Sequence, residues 1–350
     1  MLVRKVYGCF AIVAMACVGQ AWAQSTLLVS DSNGTGSNGD KVVRFVYNDA
    51  APADVVNHFA SPFWSPIRNS TSMLQRADGN ILVCSYITDS ILEYDGQTGQ
   101  YLGEFVAPGA GGLNGPIDML IGPYGDLWVT SMDSGQIIRY DGETGGFLSQ
   151  TLVSGPRGIA LNPVDGYFYV VAAGNRVQRY NPSIMGSAAY AGEAVIGGLL
   201  NNPQDVIFRP DGGMYISNYN TRSIVTVQAG PTPPPFQPQQ YNNMIYFVNQ
   251  GQFGVSNLAG MTLDSAGAVL AVERGPGRVL RFTPGGSFGP AVGSSVIIDS
   301  NSGGLGGGYS LLLYDPPAEP DPCPADMNND GVLNFFDVST FLSEFGAGCP

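Results

Sequence analysis

The chain has few of the residues that carry most enzyme chemistry. Its 350 residues include one histidine, five cysteines and three tryptophans, and charged residues make up only 12%. A single histidine cannot build a zinc site of several histidines. That residue, His58, lies in an apolar segment that reads as a fourth strand or a loop, where a lone histidine is predicted to be structural. The sequence therefore argues against histidine-dependent catalysis.

Basic residues are also scarce. Acidic residues number 28 and basic residues 15, which gives a net charge of −13. This charge argues against nucleic acid or anionic lipid as a partner, because both repel an acidic surface. After the N-terminal leader no apolar segment is long enough to cross a bilayer, so the chain is not predicted to span a membrane. The 48 glycines, combined with so few charges, are typical of a turn-rich, all-β exported protein.

The N-terminus predicts the compartment. Arg4 and Lys5 precede an apolar run over residues 6–18, and Ala21-Trp22-Ala23 offers a small-x-small cleavage site. This order predicts a secretory signal peptide over residues 1–23, cleaved near Ala23, and a secreted or cell-surface protein. A lipoprotein signal that ends at Cys17 is the alternative.

The C-terminal residues 323–350 contain a pattern typical of a calcium loop. Oxygen-bearing side chains occupy positions 1, 3, 5, 9 and 12 of a twelve-residue loop, and Gly331 occupies position 6, where the chain must turn sharply. Val332 would contribute its backbone carbonyl, and Asn334 would bind directly or through water. The predicted ligands are Asp326, Asn328, Asp330, Val332, Asn334 and Asp337. Calcium is therefore the predicted cofactor, and apolar residues at helical spacing after the loop predict a short amphipathic helix.

Cysteine positions support the same module. Cys323 and Cys349 bracket the loop and its helix, and they are predicted to form a disulfide. A module this small builds little core, so metal and disulfide would both support it. Cys84 lies in the apolar run Ile81-Leu82-Val83-Cys84 and is predicted to be a buried, inert thiol, with a reactive thiol as the alternative.

The tail resembles a dockerin repeat, in the single-repeat version that is bounded by cysteines and ends in Gly-Cys. The resemblance covers residues 323–350 and implies a protein partner or a cell-surface anchor. The tail departs from the usual dockerin in having one loop instead of two, and in having Asp337 where glutamate is usual. These departures argue against cohesin binding more than they argue against calcium binding.

Between Thr26 and Asp315 one pattern recurs: an apolar strand, an Asp-Gly-type turn, a second apolar strand, a polar loop and two further strands. The turn glycines are Gly79, Gly125, Gly166, Gly212 and Gly267, at intervals of 46, 41, 46 and 55 residues. Four short strands at a period of 40–50 residues predict a β-propeller, in which glycine accepts the positive φ of each tight hairpin turn. The long last interval contains the proline-rich residues 231–235, which predict an insertion loop.

The two ends of the body predict how the ring closes. Residues 27–30 and 41–46 match the second and third strands of a blade whose innermost strand is missing at the N-terminus. Residues 309–314 can supply that strand, which leaves no exposed sheet edge. We therefore expect six blades, with seven as the alternative. The expected organisation is a signal peptide (1–23), a propeller (24–315), a proline-rich linker (316–322) and a calcium module (323–350).

The repeats resemble those of NHL and streptogramin-lyase-like propellers, a group that is also gluconolactonase-like. Residues 122–130, Gly-Pro-Tyr-Gly-Asp-Leu-Trp-Val-Thr, match most closely. The group includes lyases, lactonases, binding proteins and proteins of unknown role. The resemblance therefore implies a fold and leaves the chemistry open.

A ligand site is expected at the mouth of the central channel. The residues that enter the inner strands and the loops after the second strands would point there. The catalytic or calcium-binding candidates are Asp118, Asp205 and Glu273. The further candidates for the mouth are Asp89, Asp133, Arg157, Gln204, Asn218, Asn220, Asn257 and Arg274. These residues could hold calcium, hold sugar hydroxyls, or satisfy one another and water.

Two functions remain open from the sequence. The first is an exported, non-catalytic propeller that binds a protein, a glycan or a small ligand and is attached through its calcium tail. The second is a calcium-assisted lactonase or lyase that uses Asp118, Asp205 and Glu273. The scarcity of histidine favours the first function, because the lyase-like enzymes that the chain resembles depend on a histidine base.

Overall fold

The predicted all-β, six-bladed propeller is confirmed. The computed structural model describes residues 25–32, 40–48, 51–60, 66–184, 186–231, 240–300 and 302–314. They form 24 strands in six four-stranded antiparallel sheets, with no α-helix within these ranges. The predicted signal peptide, linker and calcium module, including the Cys323–Cys349 pair, lie outside the described residues.

Each blade is a meander whose strands run from the channel outwards. Blade 1 contains β24 (Gly308–Tyr314), β1 (Ser25–Ser32), β2 (Asp40–Asn48) and β3 (Ala51–Ala60). Blade 2 contains β4 (Ser70–Gln75), β5 (Ile81–Ser85), β6 (Ser90–Tyr94) and β7 (Tyr101–Val106), and blade 3 contains β8 (Pro116–Ile121), β9 (Leu127–Ser131), β10 (Gln136–Tyr140) and β11 (Phe147–Leu152). Blade 4 contains β12 (Ile159–Leu161), β13 (Phe168–Ala172), β14 (Arg176–Tyr180) and β15 (Tyr190–Ile196). Blade 5 contains β16 (Pro203–Phe208), β17 (Met214–Asn218), β18 (Ser223–Ala229) and β19 (Tyr241–Val248), and blade 6 contains β20 (Leu258–Leu263), β21 (Val269–Glu273), β22 (Val279–Pro284) and β23 (Ala291–Ile298).

The hairpin turns form where the sequence predicts them. Gly79, Gly125, Gly166, Gly212 and Gly267 all have positive φ, between 70° and 89°. Each lies between the first and second strands of its blade, where a residue with a Cβ atom would be strained. The second strands are buried along their whole length in blades 2 to 6 because neighbouring sheets cover both faces.

The core is a ring of apolar clusters between adjacent blades. Aromatic pairs mark several of these contacts: the ring centroids of Trp128 and Phe168 are 4.7 Å apart, and those of Tyr169 and Phe208 are 4.9 Å apart. Cys84 is fully buried as a free thiol among residues of blades 2 and 3, as expected of an inert cysteine. Every blade therefore depends on its two neighbours for burial, and the ring is stable only when it is complete.

The ring closes as the sequence predicts. Strand β24 pairs antiparallel with β1, with Leu313 opposite Leu27 and Leu311 opposite Val29. Leu311 and Tyr314 are buried at the two blade contacts beside this strand. His58 lies on β3, the outermost strand of the same blade, as expected for a fourth strand.

Truncation tests this closure. Removal of residues 308–350 should unfold the whole body, because it deletes β24 and exposes the apolar faces of blades 2 and 6. Removal of residues 316–350 should leave the melting transition of the body unchanged. Leu311→Ala, a milder change, should lower the free energy of unfolding by about 2–5 kcal/mol. Denaturant titration and thermal melts would measure these effects, and equal melting of both truncations would contradict the closure.

Candidate functional site

Six inner strands line the central channel. The equivalent channel-facing positions in blades 1 to 6 are Ser310, Ser72, Asp118, Gly158, Asp205 and Gly260, so aspartate and glycine alternate over blades 3 to 6. All of these residues except Ser72 line a cavity of about 30 Å³, which Thr71, Gln204 and Tyr309 also line. Since one water molecule needs roughly 10–15 Å³, this cavity has room for about two waters. An organic substrate does not fit inside it.

Asp118 joins blade 3 to both neighbouring blades. Its Oδ1 atom accepts hydrogen bonds from the Ser72 hydroxyl at 2.7 Å and from its neighbour Met119 N–H at 2.9 Å. Its Oδ2 atom accepts a hydrogen bond from Ile159 N–H of blade 4 at 2.8 Å. Both carboxylate oxygens therefore already have protein donors.

Asp205 repeats this arrangement two blades further on. Its Oδ1 atom accepts from Val206 N–H at 2.7 Å, and its Oδ2 atom accepts from Met261 N–H of blade 6 at 2.7 Å. The Gly158 position must be glycine, because a Cβ atom there would lie 2.7 Å from the Asp205 Cα atom. The two aspartates thus tie inner strands together across neighbouring blades.

Hydroxyl groups on the second strands complete the same alternation. The N–H groups of Asp118, Asp205 and Ser310 donate to the hydroxyls of Thr130, Ser217 and Ser30, respectively, at 3.0, 3.1 and 2.9 Å. Thr130 and Ser217 then donate to carbonyls of the next blades, those of Arg157 and Ala259. Blades 1, 3 and 5 therefore share one polar pattern that blades 2, 4 and 6 lack.

Burial changes the acidity of both aspartates. Burial raises the pKa of Asp118 to about 6, although its three hydrogen bonds oppose the shift. Burial and the neighbouring charge of Asp118 raise the pKa of Asp205 well above its usual range. Two carboxylates in one narrow channel cannot both ionise easily. The pair holds at least one proton under mildly acidic conditions.

The channel mouth above these aspartates is lined by tyrosines and arginines. The Arg157 Nη1 atom donates to Gln204 Oε1 at 3.0 Å. The Arg274 guanidinium lies 4.6 Å from the ring centre of Tyr309 and 5.6 Å from that of Tyr219. Such distances allow cation–π attraction to both rings.

A third tyrosine stands on the opposite part of the mouth. The Tyr86 hydroxyl donates to Asp133 Oδ2 at 2.8 Å, and burial, followed by this bond, raises the pKa of Tyr86 to about 12. Gly115 is packed against this pair, since a Cβ atom there would lie 2.7 Å from Asp133 Oδ2. Tyr86 and Asp133 are thus fixed in position before any ligand arrives.

Several sequence candidates support loops at this face. In five blades a residue at the end of the second strand, the last or, in blade 1, the last but one, accepts a hydrogen bond from the loop that enters the inner strand; these residues are Asp31, Ser85, Ser131, Asn218 and Glu273. Asp89 also supports a loop at this face, because its Oδ1 atom accepts a hydrogen bond from Gly115 N–H at 2.8 Å. Asn220 donates to Asn201, and the carbonyl of Asn257 accepts from Arg274 N–H.

Glu273 is fully committed to this structural role. Its side chain is buried and accepts from Arg278 Nε at 2.5 Å and from Ser256 N–H at 2.6 Å. The structure therefore does not present Glu273 to the channel together with Asp118 and Asp205. Residues 285–289 form a Gly-x-Ser-x-Gly segment, but they lie in the hairpin between β22 and β23, on the face away from the mouth.

The mouth fits a calcium ion poorly. Among the residues that the structure describes, no group of three or more His, Cys, Asp or Glu side chains is placed to hold a metal. The oxygens of Asp118 and Asp205 face N–H and hydroxyl donors, and those of Glu273 face a guanidinium. A cation would have to displace these donors, each of which would lose a buried partner.

Sequence reasoning missed the tyrosines. Tyr309 was expected only as part of the closing strand, although it occupies the same place in its blade as Arg157 and Gln204 do in theirs. Aligning the closing strand with the other inner strands would have found it. Tyr86 and Tyr219 directly follow the second strands of blades 2 and 5, as Arg274 does in blade 6.

Comparison with known proteins supports the fold alone. No family model matches the sequence, and no curated protein matches it significantly. A Bacteroides uniformis protein described as a candidate 6-phosphogluconolactonase is 15% identical, with a TM-score of 0.55 over 78% of this chain and 83% of that chain. A chain of a nidogen/laminin complex is 12% identical, with a TM-score of 0.57 over 85% and 100% of the two chains.

The lyase resemblance receives less support from structure. A streptogramin B lyase is 17% identical over 74% of this chain and 72% of that chain, with a TM-score of 0.48, too low to carry an argument. Propellers with different descriptions therefore share this fold. The chemistry of the mouth has to be inferred from its own residues.

The channel aspartates predict an unusual pH dependence. The folded Asp118 keeps its proton to higher pH than an unfolded aspartate of pKa about 3.9, so the folded state binds more protons between pH 4 and 6. Stability should therefore fall as pH rises through this window, by on the order of 2–3 kcal/mol from Asp118. Hydrogen bonds from Thr98 and Thr144 lower the pKa values of Asp95 and Asp141. These two carboxyls therefore change charge at lower pH than this window.

Denaturant unfolding at pH 4 to 7 would test this expectation. The double variant Asp118→Asn, Asp205→Asn should lose most of the pH dependence, whatever its stability at one pH. Glu143→Gln, an exposed carboxylate replaced in the same way, should keep it. An unchanged pH profile in the double variant would show that the channel pair does not titrate in this range.

Proposed function

We propose that this protein is an exported, non-catalytic β-propeller that binds a protein or a glycan at its channel mouth and is attached through its calcium-binding tail. The observation that carries the proposal is the commitment of the channel carboxylates. Each oxygen of Asp118 and Asp205 accepts a hydrogen bond from the protein, and the cavity that the two residues line is only about 30 Å³. A general base needs a free oxygen within reach of a substrate proton.

The mouth offers binding groups instead. Tyr86, Tyr219 and Tyr309 are each partly exposed, and Arg157, Gln204 and Arg274 place hydrogen-bond donors among them. Partly exposed aromatic rings with polar groups around them suit recognition sites, since one side chain supplies both apolar area and hydrogen bonds. Propellers of similar fold include a chain of a nidogen/laminin complex, so the fold is compatible with binding.

A calcium-assisted lactonase or lyase is the second candidate. The raised pKa of Asp118 favours it, because carboxyls with raised pKa values in clefts often act as general acids or bases. Against it, Glu273 is paired with Arg278, and the chain has one histidine, on the outer strand of blade 1. The two candidates differ in whether any substrate turns over.

Binding to the mouth can be tested directly. The full-length protein would be applied to an array of oligosaccharides and to secreted proteins at controlled calcium. Tyr309→Phe, which removes the hydroxyl, should weaken binding several-fold, and Arg274→Ala should weaken it about tenfold or more. Tyr124→Ala, an exposed tyrosine in a turn on the other face, should have no effect. Calcium-dependent hydrolysis or elimination that Asp118→Asn abolishes would favour the enzyme and contradict this proposal.

The tail is proposed to be the attachment module. Asp326, Asn328, Asp330, Asn334 and Asp337 supply side-chain oxygens at calcium-loop spacing, and the resemblance to dockerins implies a protein partner or a cell-surface anchor. The proline-rich residues 316–322 would keep the propeller away from the anchor. This arrangement suits a displayed binding domain.

Calcium titration would test the tail. The full-length protein should bind one calcium with a dissociation constant of roughly 0.1–1 mM, typical of extracellular modules. Asp326→Ala and Asp330→Ala should each abolish this binding, and the truncation that ends at residue 315 should lack it. If the protein truncated at residue 315 still gives a binding heat when calcium is added, the ion binds to the propeller. Retention at the cell surface in chelator would contradict the anchoring role.

A further inference from the structure

Two arginines at the mouth have no carboxylate partner. Of the arginines in the described part of the chain, six form ion pairs; they are Arg76, Arg139, Arg176, Arg209, Arg278 and Arg281. Arg157 instead donates to the neutral Gln204, and Arg274 lies over the rings of Tyr219 and Tyr309. The chain holds 28 acidic residues against 15 basic ones, so acidic partners are plentiful. Arg68 and Arg222 also lack an ion pair among the described residues, so it is the position of Arg157 and Arg274 around Tyr309 at the mouth that points to an external anion.

Both arginines act on the same place. The charges of Arg274 and Arg157 both lower the pKa of the Tyr309 hydroxyl, against the larger raising effect of burial. Arg157 also lowers the pKa of Tyr86 on the other side of the mouth. Gln204, which accepts from Arg157, and Tyr309, which lies under Arg274, line the same cavity, so the two guanidinium groups border one site beside Tyr309.

The acidic groups nearby are already engaged. Asp133 accepts the hydroxyl hydrogen bond of Tyr86, and the oxygens of Asp118 and Asp205 accept backbone N–H groups deeper in the channel. Burial raises the pKa of both channel carboxyls, so at mildly acidic pH the pair carries less negative charge than two exposed aspartates. Repulsion of an incoming anion by the channel is correspondingly weakened.

We infer that the mouth binds an acidic glycan, with a sugar carboxylate held by Arg157 and Arg274 and the sugar ring placed against Tyr309. The planar guanidinium fits a carboxylate with two parallel hydrogen bonds, which makes arginine suited to this task. The Arg157 guanidinium has N–H groups available for a ligand, since Gln204 is the one hydrogen-bond partner of its side chain among the described residues. The inference rests on the proposed function, because it requires the mouth to be a binding site.

A sugar suits the lining because its ring can pack on a tyrosine while its hydroxyls bond the polar groups around it. Tyrosine and arginine are also enriched at protein interfaces, so a peptide has to be tested beside the sugar. The mouth carries three tyrosines, two arginines, Gln204 and Asp133, a set that can stack on a ring and hydrogen-bond its hydroxyls. An acidic peptide would offer the carboxylate without the ring, and it is the competing ligand in the test.

Matched probes can show how much the sugar carboxylate contributes to binding. Calorimetry on the full-length protein would compare trigalacturonate, its fully methyl-esterified form and triglutamate. Trigalacturonate should bind at least roughly tenfold more tightly than the ester, because hydrogen bonds to charged groups contribute that much. Arg157→Gln and Arg274→Gln should each remove about tenfold of the affinity for the acid and little of the affinity for the ester. Arg176→Gln, on the third strand of blade 4 and paired with Glu193 of the outermost strand, removes the same charge and should change neither.

Each outcome decides the inference. Equal binding of acid and ester would overturn it and leave the proposed binding function in place. Tighter binding of triglutamate would overturn the sugar in favour of an acidic peptide. Failure of all three probes would also overturn it, while the array experiment separately decides whether the mouth binds anything. Thermal melts of the variants would confirm that they fold, since both arginines are partly exposed and neither is ion-paired.

Discussion

Closure of the ring is the constraint on which the rest of this structure depends. No blade buries its own apolar faces, and each inner strand reaches its neighbours through hydrogen bonds such as those of Asp118 to Ser72 and Ile159. The channel, its aspartates and the mouth exist only because six inner strands converge. Strand β24 is the inner strand that completes the set of six, and it carries Tyr309, a central residue of the mouth. The strand that completes the fold thus also completes the site.

The channel is built as three pairs of blades. Blades 3 and 5 carry an aspartate and a hydroxyl that both reach into the following blade, and those following blades carry glycine at the equivalent position. Blade 1 keeps the hydroxyl contact through Ser30 but has Ser310 in place of an aspartate. A carboxylate at every position would crowd six charges into one narrow channel. The alternation joins the inner strands while limiting that charge to two groups.

The sequence predicts the fold in some detail because its signals are local and repeated. Turn glycines, alternating strands and the missing inner strand at the N-terminus were sufficient for six blades and their closure. The site was predicted less well. Asp118 and Asp205 do share the channel, but the partner of Glu273 depends on a loop geometry that spacing does not reveal. The mouth tyrosines follow second strands or enter an inner strand, and only the assembled ring shows that they converge.

The position of β24 at the end of the body also shapes how the chain can reach its folded state. The chain is synthesised from its N-terminus, so β1 is present long before its partner β24. The hydrogen bond from Gly306 N–H to Asp31 spans 275 residues, and β1 presents an unpaired edge until that distance is bridged. Contacts of such long range form late and slowly. Until β24 pairs with β1, the protein is an open arc of blades whose first edge can still pair with another chain.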